Sequence, residues 1–250
     1  MTLKPAARKP AACKLAALKP PLCKPKAKIK NKVKAEIKGA RIYYYNKLTQ
    51  TDILDIAAAL KRGKIAVLPT DTVYGLTVCA LRKDALKKLN SAKENPSAKP
   101  PQLLANLEQA YVFAQGAAAD GLFARAAESF WPGACTIVAK TSARGKALLK
   151  ALPPLLKQTV GLRVPKDKII LNILELIKSP LFASSANLHG KEVCVTEGEI
   201  LKTFQNRADI IVLNGRLKGR PSTVIDVSAG ALHILRAGVL TEREIKKRLS

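Results

Sequence analysis

LPTDTVYGL, residues 68–76, follows directly on the apolar run Ile65-Ala66-Val67. Residues 64–68 read as a short buried β-strand, closed by Pro69, which has no N–H to donate to a ladder. Thr70, Asp71, Thr72 and Tyr74 then crowd hydroxyl and carboxylate groups into one turn before Gly75. Open α/β sheets present ligand groups in this way, at the carboxyl ends of their strands. An ordinary strand-to-loop turn has the same appearance, and on this stretch alone both readings stand.

Outward from this stretch, the pattern alternates. TQTDILDIAAALKRG, with Thr51 or Asp52 as cap and Ile53, Ile56, Ala57 and Leu60 on one face, reads as the preceding helix. Further helices are expected over 83–90, 106–114, 120–130, 167–177, 197–204 and 242–249. Capping boxes pair Thr196 with Glu199 and Thr241 with Glu244. Strands are expected over 102–104, 135–139, 160–164, 181–184, 209–213, 223–227 and 233–236. The late strands follow one another without room for helices between them, so the sheet must mix parallel and antiparallel pairs. No G-x-x-x-x-G-K-[ST] or G-x-G-x-x-G phosphate loop is present.

The chain has 250 residues, 48% hydrophobic, enough for one substantial core. Its formal charge is +26, and residues 1–41 hold 13 Lys and Arg against the single acid Glu36. This Lys/Ala/Pro segment cannot bury enough apolar surface to offset its ordering entropy, so residues 1–41 are expected to be a disordered basic tail and 42–250 the folded domain. The tail suits an electrostatic arm for RNA; a solubilising or targeting extension is the alternative. No stretch has the roughly 18 apolar residues of a membrane span, so no membrane partner is expected. Cys13, Cys23, Cys79, Cys135 and Cys194 are far apart, and the histidines are His189 and His233. That inventory fits no metal site and suggests a reducing, cytoplasmic setting.

Four further stretches place polar groups after apolar runs: SAKENPSAKP (91–100) with Lys93 and Lys99, TVGLRVP (159–165) with Arg163, LFASSANLHG (181–190) with Ser184, Ser185 and Asn187, and GRPSTVIDV (219–227) with HILRAG (233–238), which supply Arg220, Ser222, Thr223 and Arg236. Guanidinium forks, an ammonium and short hydroxyl or amide donors suit an anionic, polar ligand. Singly, each has an ordinary structural explanation. FWPGACTIV (130–138) adds a Trp-Pro-Gly stretch that reads as a structural corner.

In this order, PTDTVYGL, the Lys93 loop, FWPGACTIV, VGLRVP, SSANLHG, PSTVIDV and ILRAG resemble the YrdC-like threonylcarbamoyl-AMP synthases over about residues 50–240. The resemblance implies an α/β fold, a single domain with a twisted mixed sheet, helices around it and a concave basic surface. It implies condensation of L-threonine, bicarbonate or CO2, and ATP into threonylcarbamoyl-AMP and pyrophosphate. The product would serve threonylcarbamoyladenosine modification of tRNA, with tRNA and its threonylcarbamoyl-transferase machinery as partners. No permanently bound cofactor is implied; ATP enters as substrate, carrying Mg2+. Carried over by residue, Lys93, Ser185 and Asn187 are catalytic, facing the phosphates and the carbamate. Thr70 and Arg163 meet threonine, Tyr74 forms a wall, and Ser222 lies in a loop closing on the substrates. Thr159 and Arg236 contact nucleotide, together with Lys93 and Ser185.

One position departs from the family pattern. Its K-x-R pair is Lys93-Glu94-Asn95 here, so a neutral amide stands where a guanidinium is expected, with Lys99 as a nearby substitute. A non-catalytic RNA-binding protein on the same fold is the alternative this raises. The complete set Arg163, Ser185, Asn187 and Arg236 opposes it.

Overall fold

The computed structural model describes residues 39–94, 101–115, 121–149 and 158–249. The basic tail up to residue 38, Asn95 and Lys99 lie outside them. The strands are β1 (Arg41–Tyr44), β2 (Ala66–Pro69), β3 (Tyr74–Cys79), β4 (Gln102–Leu104), β5 (Cys135–Lys140), β6 (Thr159–Arg163), β7 (Leu181–Ser185), β8 (Ile210–Leu213), β9 (Thr223–Asp226) and β10 (His233–Arg236). They form one sheet in the order β1-β8-β2-β3-β7-β4-β6-β5-β9-β10. The pairs β1/β8, β2/β8, β4/β6 and β5/β9 are parallel, and β2/β3, β3/β7, β4/β7, β5/β6 and β9/β10 antiparallel. This is the mixed α/β sheet expected from the crowding of late strands.

The helices are α1 (Gln50–Lys61), α2 (Ala85–Ala92), α3 (Leu107–Phe113), α4 (Leu122–Phe130), α5 (Ala143–Leu148), α6 (Lys168–Ile177), α7 (Glu197–Phe204) and α8 (Glu242–Leu249). Both expected capping boxes form, at Thr196 with Glu199 and at Thr241 with Glu244. The cap of α1 is corrected. Thr49, not Thr51 or Asp52, is the cap, accepting from Asp52 N at 3.2 Å while the Asp52 carboxylate accepts from Thr49 N at 2.9 Å. Asp52 therefore closes the box from the third helical position.

The larger correction concerns the stretch after β2. Instead of running into a loop, the chain turns and returns as β3, with Pro69 paired to Tyr74 and Ala66 to Thr77. β1 and α5 were likewise not expected. In β3, hydroxyls and glycine mask a strand whose partners, β2 and β7, make the ladder.

Successive strand residues point to opposite faces, and the two faces are covered differently. On one face Val67, Leu76, Leu103, Ile137, Leu162, Phe182, Ile211 and Ile225 join a continuous core with Leu89, Phe113, Phe123, Phe130, Phe204 and Ile245 from the helices. On the other, α1 and α6 pack together and their Ile56, Leu60, Ile173 and Leu174 cover Ala66, Leu68, Leu104, Leu181, Ala183, Ile210 and Val212. The same face continues across β6, β5 and β9, where its residues line an open cleft instead.

Candidate active site

The cleft occupies about 830 Å3. Its floor is the uncovered sheet face: Gln102 from β4, Thr159, Gly161 and Arg163 from β6, Thr136 and Val138 from β5, and Val224 from β9. Lys93 just past α2, Ser185 at the end of β7 with Asn187 after it, Ser222 before β9 and Arg236 at the end of β10 close its sides. The structure thus brings together Lys93, Thr159, Arg163, Ser185, Asn187, Ser222 and Arg236. It does not bring Thr70 or Tyr74 to the cleft.

Lys93 is the C-cap of α2, where Glu94 leaves the helix in a left-handed conformation (φ 52°). Its carbonyl accepts from His189 N at 2.9 Å, and its ammonium donates to Ser185 O at 2.6 Å and Asn187 Oδ1 at 2.9 Å. Ser185 Oγ donates to the same Asn187 oxygen at 2.7 Å, and Asn187 Nδ2 donates to Leu188 O and Lys191 O. The Ser-Ser-Ala-Asn stretch is therefore stitched onto one lysine from both its ends. All of these partners are neutral, and burial pulls the Lys93 ammonium down to about 8. An anion entering the cleft would meet a charge with no carboxylate partner among the described residues.

Arg163 is 1% exposed. Its Nε donates to Gly133 O at 3.0 Å, Nη1 to Thr72 Oγ1 at 2.8 Å and Nη2 to Asp71 Oδ1 at 2.7 Å. Burial pulls its pKa down and the Asp71 carboxylate opposes the shift. One N–H on each terminal nitrogen is left for a ligand. The Trp-Pro-Gly corner is what brings the Gly133 carbonyl here: Trp131 Nε1 donates to Cys135 O at 2.8 Å, and Gly133 N donates to Val164 O at 2.9 Å. A Cβ on Gly133 would sit 2.7 Å from the Phe130 carbonyl oxygen, so the corner needs glycine.

The hydroxyl at the cleft is Thr72 rather than Thr70. Thr70 Oγ1 donates to Val73 O at 2.7 Å and lies 2.9 Å from Thr72 Oγ1, holding the β2–β3 turn from behind. Tyr74 belongs to the core; its hydroxyl donates to Gly215 O and accepts from Asn214 N, both at 2.8 Å, and burial raises its pKa. Its ring supports the turn without reaching the cleft. Asp71 and Thr72 were visible in the sequence as part of the hydroxyl and carboxylate cluster. Gln102 and Thr136, which also line the floor, gave no signal beyond lying in strands.

Arg236 Nη2 donates to Ser222 O at 2.9 Å and Ser222 Oγ at 3.2 Å. Burial and the nearby Arg163 charge both pull its pKa down. Among the described residues no carboxylate pairs with it. Among the described residues, Lys93 and Arg236 thus stand in the cleft without a carboxylate partner, held by fixed neutral donors and acceptors. Such a set is chemically suited to a polyanion and to charge moving between its oxygens. Among the described residues no three His, Cys, Asp or Glu side chains group as a metal site, and no helix is long and apolar enough to cross a membrane.

A threonylcarbamoyl-AMP synthase of Pyrococcus abyssi is 32% identical over 194 residues, covering 76% of this chain and 55% of the relative. The chain thus spans about half the length of that protein. A putative threonylcarbamoyl-AMP synthase of Methanocaldococcus jannaschii is 28% identical over 225 residues, 88% of this chain and 99% of the relative. The crystal structure of P. abyssi Sua5 complexed with L-threonine superposes with a TM-score of 0.73 at 30% identity, covering 83% of this chain and 60% of that one. The profile of the Sua5/YciO/YrdC family, described as telomere recombination, matches residues 58–238, from within α1 through the residues just after β10. The matched span holds every strand that lines the cleft, and on that ground the chain belongs to the Sua5/YciO/YrdC family.

Proposed function

We propose that this chain is an L-threonylcarbamoyladenylate synthase, joining L-threonine, bicarbonate or CO2, and ATP into threonylcarbamoyl-AMP with release of pyrophosphate. The observation that carries the reading is that Lys93 and Arg236, without a carboxylate partner among the described residues, share one cleft with the Ser185/Asn187 knot. The similarity to a Sua5 structure complexed with L-threonine supports the amino acid.

The chemistry needs no protein nucleophile. The threonine amine takes up CO2 to form a carbamate, whose oxygen then attacks the α-phosphorus as the bond to pyrophosphate breaks. The two remaining Arg163 N–H groups suit the threonine carboxylate, and Thr72 beside them takes the place expected of Thr70. Thr159 borders the nucleotide end of the floor. Lys93 and Arg236 offset phosphate charge, and Ser185 and Asn187 hold Lys93 so that this charge needs no rearrangement as the reaction proceeds. ATP brings its Mg2+ as part of the substrate. The product, a mixed anhydride of a carbamate, suits a transferase acting on tRNA in the cytoplasm.

Purified protein incubated with ATP, labelled bicarbonate and threonine is expected to release pyrophosphate and label threonylcarbamoyl-AMP. Equal pyrophosphate release with alanine, or without an amino acid, overturns the assignment to threonine. Asn95 favours a second reading, a non-catalytic RNA-binding protein on this fold. If neither product forms and Asn95→Arg does not restore it while tRNA still binds, that second reading replaces the first.

A further inference from the structure

Gln102, at the start of β4, lies on the cleft floor in line with Ala183 of β7, and no side chain rises from its β6 neighbour Gly161. Its amide crosses β6 and accepts from Thr136 Oγ1 on β5 at 2.6 Å. Thr136 Oγ1 lies 2.8 Å from Ser222 Oγ, and Ser222 accepts from Arg236. The sense of this chain follows from proton counting. A guanidinium only donates, and a hydroxyl has one proton. Thr136 gives its proton to Gln102 Oε1, so Ser222 must give its own to Thr136 and turn a lone pair toward Arg236. Each bond polarises the next.

We propose that Gln102 is a positioning residue for Arg236, acting through Thr136 and Ser222 to set how the cleft holds the phosphates of a nucleotide. Thr136 and Ser222 are each 2% exposed, so a hydroxyl proton without an acceptor there has little water to turn to. Remove the Gln102 oxygen and the Thr136 proton turns back on Ser222. The Ser222 proton is then driven toward the Arg236 N–H groups, and the guanidinium loses its side-chain acceptor. Glutamine also ends the relay without charge, whereas a carboxylate in its place would cancel part of the cation field. Apart from Ser222, no hydrogen-bond or carboxylate partner orients Arg236 among the described residues, so its aim depends on this serine.

The inference rests on the cleft being a nucleotide site, and the experiment separates the two. In ligand-free protein the Arg236 Nε–H resonance, assigned with Arg236→Lys, is expected to shift in Gln102→Met and in Thr136→Val and to return in Thr136→Ser. MgATP titrated by calorimetry is expected to bind about tenfold more weakly to each of Gln102→Met and Thr136→Val, with the double variant no weaker than either single one. The threonine KM is expected to stay unchanged. Additive losses, about a hundredfold in the double variant, would mean that Gln102 and Thr136 meet the ligand separately and would overturn the relay. So would an Arg236 resonance indifferent to both substitutions. Wild-type protein that binds MgATP but makes no threonylcarbamoyl-AMP defeats the proposed activity and leaves the relay standing on binding. If MgATP does not bind at all, the nucleotide assignment falls, and the relay as a determinant of phosphate binding falls with it.

Discussion

One face of the sheet carries two different surfaces. Under α1 and α6, the residues at its pleat positions are Ala66, Leu68, Leu104, Leu181, Ala183, Ile210 and Val212, packed and dry. Beyond the reach of those helices, the same pleat positions are Gln102, Thr136, Thr159, Gly161 and Arg163. Backbone geometry is common to both halves, and β4 contributes to each, Leu104 to one and Gln102 to the other. What differs is whether a helix covers the strand, and the composition follows: apolar where water is excluded by packing, hydrogen-bonding where a ligand must replace water. A binding site here is a part of a sheet face left uncovered.

The comparison is sharpened first by substitutions that should separate stability from activity. Leu181→Ala, in the covered half, is expected to destabilise the protein by about 2–5 kcal/mol, read by denaturant unfolding, because the side chain is fully buried under α6. Turnover per folded molecule should change little. Lys93→Ala, at the open half, is expected to do the reverse: turnover falls about a hundredfold or more while unfolding stability is kept or improved, since a buried charge is removed. If Leu181→Ala loses turnover as severely as Lys93→Ala at a temperature where both are folded, the division between the halves fails.

Acid–base behaviour offers a finer test. The Lys93 ammonium, pulled down to about 8 from an ordinary value near 10.5, is charged below that pH and neutral above it. Affinity for ATP should therefore fall as pH rises through about 8, approaching about tenfold per unit. Stability should move oppositely: between about 8 and 10.5 the unfolded lysine holds a proton that the folded one has released, so stability rises with pH across that window. Lys93→Arg should remove the break in the affinity profile. A break that persists belongs to another group.

The smallest expected effect concerns residues 1–38, outside those the structure describes. Removing residues 1–38 is expected to leave adenylate formation unchanged and to flatten the salt dependence of tRNA binding, since as an electrostatic arm those lysines would act through phosphate neutralisation. The cut belongs before Arg41, which opens β1 and pairs with Asp55. An unchanged salt slope would rule out the arm.

Local order was readable wherever a short-range rule decides it. The periodic helices, the boxes at Thr196 and Thr241 and the apolar strands all depend on residues within a turn or two of each other. So, through the ordered motifs, did the membership of Lys93, Arg163, Ser185, Asn187, Ser222 and Arg236 in one site. Tertiary structure decided the rest, for a reason of distance along the chain. Tyr74–Cys79 is set as a strand between β2 and Leu181–Ser185, about a hundred residues on, whereas the polar cluster before Gly75 reads by itself as the end of a strand. Thr72 replaces Thr70 at the cleft because Arg163, 91 residues away, selects the hydroxyl that the turn presents to it. Gln102 gains a role only where Thr136, itself bonded to Ser222, meets its amide, since a glutamine in a strand carries no meaning until its partners' protons are counted.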